Sequence, residues 1–145
     1  MENHDHTIKA LNELLEQEHA CAIRYHTHAA VLSGPYAETV AARLREIGND
    51  EILHAEKLRQ RIVALGGEPS MNVSKEDLKP AHTLEEILKI NIDEELHAIA
   101  SYTAIFEETP TSNAILYQTL QEILRDEQEH LEELENFVLS GHGKY

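Results

Sequence analysis

The sequence predicts an all-α fold, a four-helix bundle built from two antiparallel helical hairpins joined by one long crossover. Four long segments show the three-then-four spacing of apolar residues that is typical of amphipathic helices. No stretch alternates apolar and polar residues for long enough to indicate a β-sheet. Two of the three breaks between the segments are short and one is long. Together these observations define the predicted architecture.

The first predicted hairpin consists of two helices separated by a tight turn. The first helix runs from about Thr7 to Leu32 and stops at Ser33-Gly34-Pro35. The second runs from about Ala37 to Leu65 and stops at Gly66-Gly67-Glu68-Pro69. Because the connection between them is short, the two helices are expected to be antiparallel neighbours.

The second predicted hairpin follows a long irregular segment, residues 66–81. Its first helix begins near His82 or Thr83, where Thr83-Leu84-Glu85-Glu86 has the pattern of a capping box, and ends near Thr109-Pro110. Its second helix follows at once and ends at Ser140-Gly141. The irregular segment could reach ~50 Å, further than the ~40 Å length of such helices. It can therefore cross over along the outside of the bundle.

Length and composition indicate one ordinary globular domain. The chain has 145 residues, of which 41% are hydrophobic and 27% are charged. This is enough for one sizeable core and too short for two ordinary ones, so a single domain is expected over residues 1–145. The formal net charge of −15 repels phosphate backbones, so nucleic acid is not an expected partner.

Cysteine content and hydropathy exclude further classes of protein. The one cysteine, Cys21, rules out a disulfide framework and a Cys-rich zinc or iron site within this chain. Residues 1–6 lack the basic and apolar regions of a signal peptide. No apolar run approaches the ~20 residues of a membrane span. The protein is therefore expected to be cytoplasmic, with no membrane partner.

Polar residues interrupt the buried face of each predicted helix at its centre. Followed at helical spacing, these faces are otherwise apolar, as at Leu11, Leu15 and Leu32 of the first helix. The interrupting residues are four glutamates and two histidines: Glu18, Glu51, His54, Glu95, Glu127 and His130. Each helix thus contributes at least one ligand-type side chain to the middle of the predicted core.

A buried group of four carboxylates needs compensation for its charge. Burying even one without a partner costs on the order of several kcal/mol, and four together repel one another. No Lys or Arg shares these helix faces, so protons or bound cations must compensate. Two divalent cations cancel the charge of about −4, and two neutral imidazoles complete a donor set that suits Fe or Mn.

The chain also repeats itself around these residues. Ile47-x-x-Asp50-Glu51-x-x-His54 recurs as Ile123-x-x-Asp126-Glu127-x-x-His130, and Glu18-x6-Tyr25 recurs as Glu95-x6-Tyr102. The two hairpins are therefore predicted to be halves of a pseudo-twofold bundle that supplies equivalent ligands from each half.

Glu-x-x-His is a weak signal as a bare pattern, because it also occurs at Glu16/His19 and Glu94/His97. Those pairs straddle the apolar face, so they are expected at solvated or rim positions. On the third helix, Glu95 continues the apolar face while Glu94 is rotated by about 100° from it. Glu95 is therefore the predicted ligand.

At these residues the chain resembles the bacterioferritins of the ferritin-like superfamily, whose ligand set is Glu, Glu-x-x-His, Glu, Glu-x-x-His. The likeness extends from Leu11-Asn12-Glu13-Leu14-Leu15 through Asp50-Glu51 and His54-Ala55-Glu56 to Leu124-Arg125-Asp126-Glu127. The resemblance implies a ferritin-like bundle that binds two iron ions per chain, while the donor set by itself also suits Mn.

The resemblance also assigns ligands and an activity. It implies Glu18 and His54 on one iron, Glu95 and His130 on the other, and Glu51 and Glu127 bridging both. The implied activity is that of a ferroxidase, which oxidises Fe(II) to Fe(III) with O₂ or H₂O₂ for iron storage or detoxification. The implied assembly is a homodimer or a larger homo-oligomer.

Three departures limit the resemblance, and one of them is the pair of adjacent candidates on the third helix, Glu94 and Glu95. Bacterioferritins bind haem between two subunits through a methionine just after the first bridging glutamate, where this chain has Ile52, so haem is not expected. They also carry a short fifth helix that helps to close a multi-subunit shell, and the residues after Gly141 are too few for it. Whether a closed shell forms is left open.

Other interpretations stay open at the level of sequence. A rubrerythrin-like peroxidase usually adds a glutamate on the third helix, where Ala98 stands, together with a Cys-rich domain. A metal-binding bundle without turnover is the second alternative, because ligands alone do not make a site reactive. Tyr25 is either an electron or hydrogen-bond donor at the site or a core aromatic. Asp50 and Asp126 are either acceptors for the opposite motif's histidine or surface charges.

Overall fold

The computed structural model describes residues 4–35 and 37–139, and over these residues the predicted four-helix bundle is confirmed. Helix α1 spans Asp5–Val31, α2 Ala37–Ala64, α3 Leu84–Glu108 and α4 Ala114–Leu139. The predicted end of the last helix, Ser140-Gly141, lies outside the described residues. No described helix is long and apolar enough to cross a membrane.

The helices pack as two hairpins that face each other. Helix α1 packs along α2 and α3 packs along α4, while α1 also contacts α3 and α2 contacts α4. Thr83 caps the second hairpin by accepting a hydrogen bond from the Glu86 N–H at 3.1 Å, as the sequence predicts. The Thr83 hydroxyl in turn donates to the Glu86 carboxylate at 3.0 Å.

Helix α2 ends in a Schellman motif centred on Gly66, whose φ of 89° lies in the left-handed region. The Gly67 N–H donates to the Ile62 carbonyl at 2.9 Å, and the Gly66 N–H donates to the Val63 carbonyl at 3.0 Å. Two terminal carbonyls of the helix are thereby satisfied. The chain then continues from α2 into the crossover.

The predicted crossover is present, runs alongside α1 and includes one 3-10 turn at Lys75–Asp77. Four side chains of α1 donate to four crossover carbonyls in the same order along both segments: Asn12 to Glu68 (3.0 Å), His19 to Asn72 (2.7 Å), Arg24 to Asp77 (2.8 Å) and His28 to Lys79 (2.7 Å). This matching order means that the crossover runs parallel to α1.

The hydrophobic core is divided into two apolar clusters along the bundle. One is built around Tyr25, Leu44 and Ile87, and the other around Leu15 and Leu58. The six polar residues predicted from the sequence belong to neither cluster, and all are buried. The site is therefore a polar layer enclosed by the four helices.

We expect Gly66→Ala to lower the free energy of unfolding by about 1 kcal/mol, because alanine resists the left-handed backbone required here. No heavy atom lies within 4 Å of the position of the added Cβ, so the loss would report backbone conformation and not a clash. Gly66→Asn is the control and should lose less, because asparagine tolerates positive φ. Chemical denaturation of the metal-free protein measures both variants, and equal losses would contradict this explanation.

Candidate metal centre

All six residues predicted as ligands meet in the middle of the bundle. Each exposes no more than 2% of its surface. Their donor atoms form two overlapping groups, and within each group the atoms lie within 4.8 Å of one another: Glu18, Glu51, His54 and Glu127 in one, and Glu51, Glu95, Glu127 and His130 in the other. Glu51 and Glu127 belong to both groups, which is the arrangement required of bridging ligands.

Helical spacing explains why these side chains converge. Glu51 and His54 are three residues apart on α2, and Glu127 and His130 are three apart on α4, so each pair shares one helix face. Helices α1 and α3 each add one glutamate from the facing hairpin positions. Four helices thus provide four carboxylates and two imidazoles around one volume.

The two histidines are held in the same orientation by aspartates from opposite helices. His54 Nε2 donates to the Asp126 carboxylate at 2.8 Å, and His130 Nε2 donates to the Asp50 carboxylate at 2.9 Å. Both aspartates are about 40% exposed, at 41% and 39%. The sequence interpretation of these aspartates as acceptors for the opposite motif's histidine is confirmed.

Each imidazole consequently directs its Nδ1 atom into the carboxylate layer. His54 Nδ1 lies 3.0 Å from Glu18, 3.2 Å from Glu51 and 3.0 Å from Glu127. His130 Nδ1 lies farther from its neighbours, at 3.7 to 3.9 Å from three carboxylates. The two rings are 6.2 Å apart between centroids. A neutral imidazole fixed in this way offers the Nδ1 lone pair to a cation.

Several oxygen and nitrogen atoms of the layer that could bind a metal are buried without a hydrogen-bond partner among the described residues. They are both carboxylate oxygens of Glu51 and of Glu127, one oxygen of Glu95, and Nδ1 of His130. Buried polar atoms are normally satisfied, because leaving one unpaired costs about 1–3 kcal/mol. Six such atoms in one small volume indicate a site arranged for ligands other than protein groups.

Three of the four carboxyl groups hold protons more tightly than usual in the protein without metal. Burial, together with the charge of Glu51, raises the pKa of Glu18 to about 8. Burial and the charges of Glu51 and Glu95 raise the pKa of Glu127 well above its ordinary value. Burial also raises the pKa of Glu95. Protonation thus relieves the repulsion that the sequence predicts for this cluster.

The fourth carboxyl group and one histidine form the charged pair of the layer. Burial acts to raise the pKa of Glu51, but the charge of His54, whose Nδ1 lies 3.2 Å from a Glu51 oxygen, outweighs it and lowers that pKa to about 2. Burial opposes a charge on His54, but its hydrogen bond to Asp126 and the carboxylates close to its Nδ1 raise its pKa well above the ordinary value. Divalent cations would replace these protons and restore carboxylates and neutral imidazoles as donors.

The donor set fits two divalent first-row metal ions. Carboxylate oxygen and imidazole nitrogen suit Fe and Mn, whereas the one described cysteine, Cys21, is no member of either donor group. Two ions would offset four carboxylates, and each ion would have one imidazole, one terminal carboxylate and two shared carboxylates. The buried unpaired atoms listed above are the ones such ions would satisfy.

Tyr25 contacts the site directly. Its hydroxyl donates to Glu95 Oε1 at 2.6 Å, while the other oxygen of Glu95 has no partner among the described residues. Of the two sequence interpretations, the structure therefore supports a hydrogen-bond donor to a predicted ligand. Tyr102, the counterpart of Tyr25 in the repeat, is also buried, but its hydroxyl donates to no described group.

Glu94 is buried, so its predicted place at a solvated or rim position is wrong. It is 5% exposed, and it lies 3.6 Å from the Arg24 guanidinium and in direct contact with Lys79. These two cations compensate its charge and keep it outside the carboxylate layer. Glu95, the predicted ligand of the two, lies within the layer.

A second buried polar network was not predicted from the sequence. Arg24 is only 2% exposed, and it donates through Nε to Asn91 at 2.9 Å and through a terminal nitrogen to the Asp77 carbonyl. Asn91 also donates to His28 Nδ1 at 2.9 Å. The sequence pattern that could have indicated this network is the spacing of Arg24 and His28, which lie four residues apart on α1 and next to its apolar face.

Comparison with known proteins places the chain in a family. A model of the ferritin-like domain matches residues 8–139. A ferritin-like, diiron-carboxylate protein from Bacillus anthracis strain Ames has a similar structure, with a TM-score of 0.82 and 30% identity over 90% of this chain and 93% of that one. The dodecameric thioferritin of Bacteroides fragilis, a bacterioferritin-related protein, has a TM-score of 0.89 and 25% identity over 95% of this chain and 87% of that one.

Relatives in sequence are bacterioferritins and a bacterial ferritin. The Brucella melitensis bacterioferritin is 28% identical over 136 residues, which cover 93% of this chain and 84% of the relative. The bacterial ferritin of Pseudomonas aeruginosa is 31% identical over 101 residues, 70% of this chain. The match spans 64% of the Pseudomonas protein, slightly less than two thirds of its length. The chain belongs to the ferritin-like domain family and is a bacterioferritin-like member of it.

Proposed function

We propose that this protein is a ferroxidase that binds two Fe(II) ions per chain and oxidises them to Fe(III), in the service of iron storage or detoxification. One observation carries the proposal: four carboxylates and two imidazoles are buried together, and six of their oxygen and nitrogen atoms have no partner in the described part of the chain. Fe(II) is the substrate, and two ferrous ions supply the two electrons that reduce O₂ to H₂O₂ or H₂O₂ to water.

The residues of the layer have distinct tasks in this proposal. Glu18 and His54 would bind one ion, Glu95 and His130 the other, and Glu51 and Glu127 would bridge both. Asp126 and Asp50 hold the imidazole Nε2–H groups, so that each Nδ1 faces the layer. The apolar clusters beside the layer exclude bulk water, which strengthens charge interactions within it.

We also propose that the protein is a homodimer or a larger homo-oligomer. The Bacteroides fragilis relative is dodecameric. In this chain three exposed apolar side chains, Ile23, Ile52 and Met71, surround a surface cavity of about 390 Å³ beside α1 and α2. Contact with a second copy would remove this apolar surface from water.

We expect the purified apoprotein to bind two divalent transition-metal ions per chain. Metal analysis after anaerobic reconstitution with Fe(II) measures the stoichiometry. Binding should also raise the melting temperature, since a free metal concentration about 100-fold above Kd adds about 2.7 kcal/mol per site, or roughly 10 °C for a chain of this size. Only trace metal after reconstitution would contradict the assignment of the six ligands.

Neutralising Glu95 should impair oxidation, whereas neutralising its neighbour Glu94 should not. We expect Glu95→Gln to weaken binding at one metal position and to lower the rate of Fe(II) oxidation by at least about tenfold, because glutamine keeps the volume but loses the charge. Glu94→Gln is the matched control, since Glu94 faces Arg24 and Lys79. It should lower stability and leave the oxidation rate close to that of the wild type.

Ferric absorbance after mixing Fe(II) with O₂ or with H₂O₂ follows both variants. Equal loss in the two variants would contradict the assignment of Glu95. Two metals bound without oxidation faster than buffer would indicate a binding bundle without turnover. Turnover of H₂O₂ with an electron donor other than iron would indicate a peroxidase.

We expect light scattering at micromolar concentration to give a mass of at least two chains. Ile52→Glu, which places a charge among the apolar residues around the cavity, should shift the mass towards the monomer. Glu46→Gln, on an exposed site away from this cavity, is the control and should leave the mass unchanged. A monomeric wild type would overturn the proposed assembly.

A further inference from the structure

His28 of α1 connects this helix to the crossover and to α3 through its two ring nitrogens. The residue is 1% exposed. Its Nε2 lies 2.7 Å from the Lys79 carbonyl oxygen, and its Nδ1 lies 2.9 Å from Nδ2 of Asn91. A carbonyl can only accept, so Nε2 carries a proton and donates it to the crossover. Whether Nδ1 also carries a proton depends on which end of the Asn91 amide faces it.

The orientation of the Asn91 amide is fixed by two groups that cannot change their roles. Arg24 Nε lies 2.9 Å from Oδ1 of Asn91 and can only donate. The Ile87 carbonyl oxygen lies 2.8 Å from Nδ2 and can only accept. A rotated amide would set N–H groups against Arg24 and one carbonyl oxygen against another. The amide NH₂ group therefore faces His28, and Nδ1 has to be unprotonated in order to accept from it.

A protonated His28 has no compatible arrangement in this network. With the amide in its present orientation, the Nδ1–H of an imidazolium would point at an N–H of Asn91. Rotation of the amide would move the same conflict to Arg24 and Ile87. Buried donors that face each other without an acceptor are unfavourable, so the buried ring has to stay neutral.

The charged groups around His28 do not favour an imidazolium either. They come from α1, the crossover and α3, and are Arg24, Asp77, Lys79 and Glu94. Glu94 pairs with Arg24 and contacts Lys79, and the Asp77 carboxylate accepts from the Ser74 hydroxyl, so neither acid pairs with His28. Helices α2 and α4 give His28 no hydrogen-bond or ion-pair partner within the described residues.

The pKa of His28 agrees with this geometry. Burial lowers it from the ordinary value of 6.5, and the charge of Arg24 adds to that effect, while the bond to the Lys79 carbonyl opposes it only in part. A histidine whose pKa is lowered by folding stabilises the folded arrangement at neutral pH. That contribution weakens as the pH falls below 6.5, because the released side chain binds a proton that the buried one excludes.

A surface cavity of about 210 Å³ gives the imidazolium a route to water. His28 forms part of its wall, together with Thr27 and three crossover residues, Leu78, Lys79 and Pro80. Rotation of the ring into this space would expose both nitrogens to water, which can accept from each of them. The rotation gives up the bond to the Lys79 carbonyl, the last of the four that hold the crossover to α1.

We propose that His28 is an acid-sensitive latch for the crossover: once protonated, it leaves the Lys79 carbonyl and Asn91, and residues 78–81 separate from α1. Its consequence is a local opening in acid at the surface of a bundle whose four helices stay packed. No hydrogen bond or ion pair joins His28 to any of the six proposed metal ligands within the described residues. The latch is therefore independent of the proposed ferroxidase activity.

Hydrogen exchange of the full-length protein at about pH 7.5 and about pH 5.5 tests the latch. The readout is residues 75–82, where the Asp77 and Leu78 amides donate to backbone carbonyls. His28→Gln is the decisive variant, because glutamine can donate to the Lys79 carbonyl and does not titrate. The wild type should lose protection here at the lower pH relative to His28→Gln, and the two should match at the higher pH. Both proteins keep the six proposed ligands, so titration of the carboxylate layer cancels in the comparison.

Nuclear magnetic resonance of the histidine rings provides the second measurement. The signal of His28, assigned by its loss in His28→Gln, should titrate with a midpoint below 6.5 in the wild type. Asn91→Asp presents a carboxylate oxygen to Nδ1 in place of the NH₂ group, so it should raise the midpoint and keep the crossover protected in acid. His97→Gln, which removes an exposed histidine of α3, is the control and should match the wild type in both measurements. His28→Gln decides the question if Asn91→Asp does not fold.

Three results would contradict the latch. Equal protection of the wild type and His28→Gln at about pH 5.5 would show that His28 does not control the crossover. A midpoint of His28 at or above 6.5 in the wild type, or one that a folded Asn91→Asp leaves unchanged, would show that the amide does not keep the ring neutral. Loss of protection in all four helices together with the crossover would show acid unfolding of the bundle instead of a local release.

Discussion

The burial of four carboxylates in one layer is the constraint on which the rest of this structure depends. Four helices can bring four buried carboxylates together only if protons, basic groups or cations reduce their mutual repulsion. The four are Glu18, Glu51, Glu95 and Glu127. In the protein without metal this repulsion is reduced only in part, since raised pKa values favour protonation of three of the groups and His54 pairs with the fourth. Bound cations would reduce it further and would satisfy the buried atoms that have no partner among the described residues.

The remainder of the fold isolates this layer. Apolar clusters bordering the layer support the bundle without contributions from the polar residues. The second buried ion pair, Arg24 with Glu94, is directed towards the crossover and away from the layer. Buried polar atoms without partners at the centre of a core are typical of functional sites. The fold tolerates them here because the rest of the core is regularly packed.

The helices and the six site residues could be predicted from the sequence because both depend on periodicity. Helical spacing put Glu95, and not Glu94, on the apolar face of the third helix. The repeat distinguished the central Glu-x-x-His pairs from the two extra ones. The buried position of Glu94 could not be predicted in the same way. It depends on where Lys79 and the Asp77 carbonyl lie, and the crossover that carries them has no periodic pattern.

Tyr25 illustrates the same limit at the site itself. Its spacing from Glu18 placed it on the buried face, but its hydrogen bond goes to Glu95 of the other hairpin. Spacing within one helix gives no direct information about contacts between hairpins. The difference between Tyr25 and Tyr102 is likewise invisible in the repeat, because both occupy the same repeat position and only their neighbours differ.

The way in which α1 holds the crossover has a consequence for how this family member can diversify. The four donors of α1 bond to backbone carbonyls of the crossover, and every residue type offers such a carbonyl. This contact therefore requires particular side chains at Asn12, His19, Arg24 and His28, whereas the crossover contributes to it only through its backbone. Exposed crossover side chains such as Glu76, unlike Lys79, which pairs with Glu94, can accordingly change without loss of the contact that holds the crossover to α1.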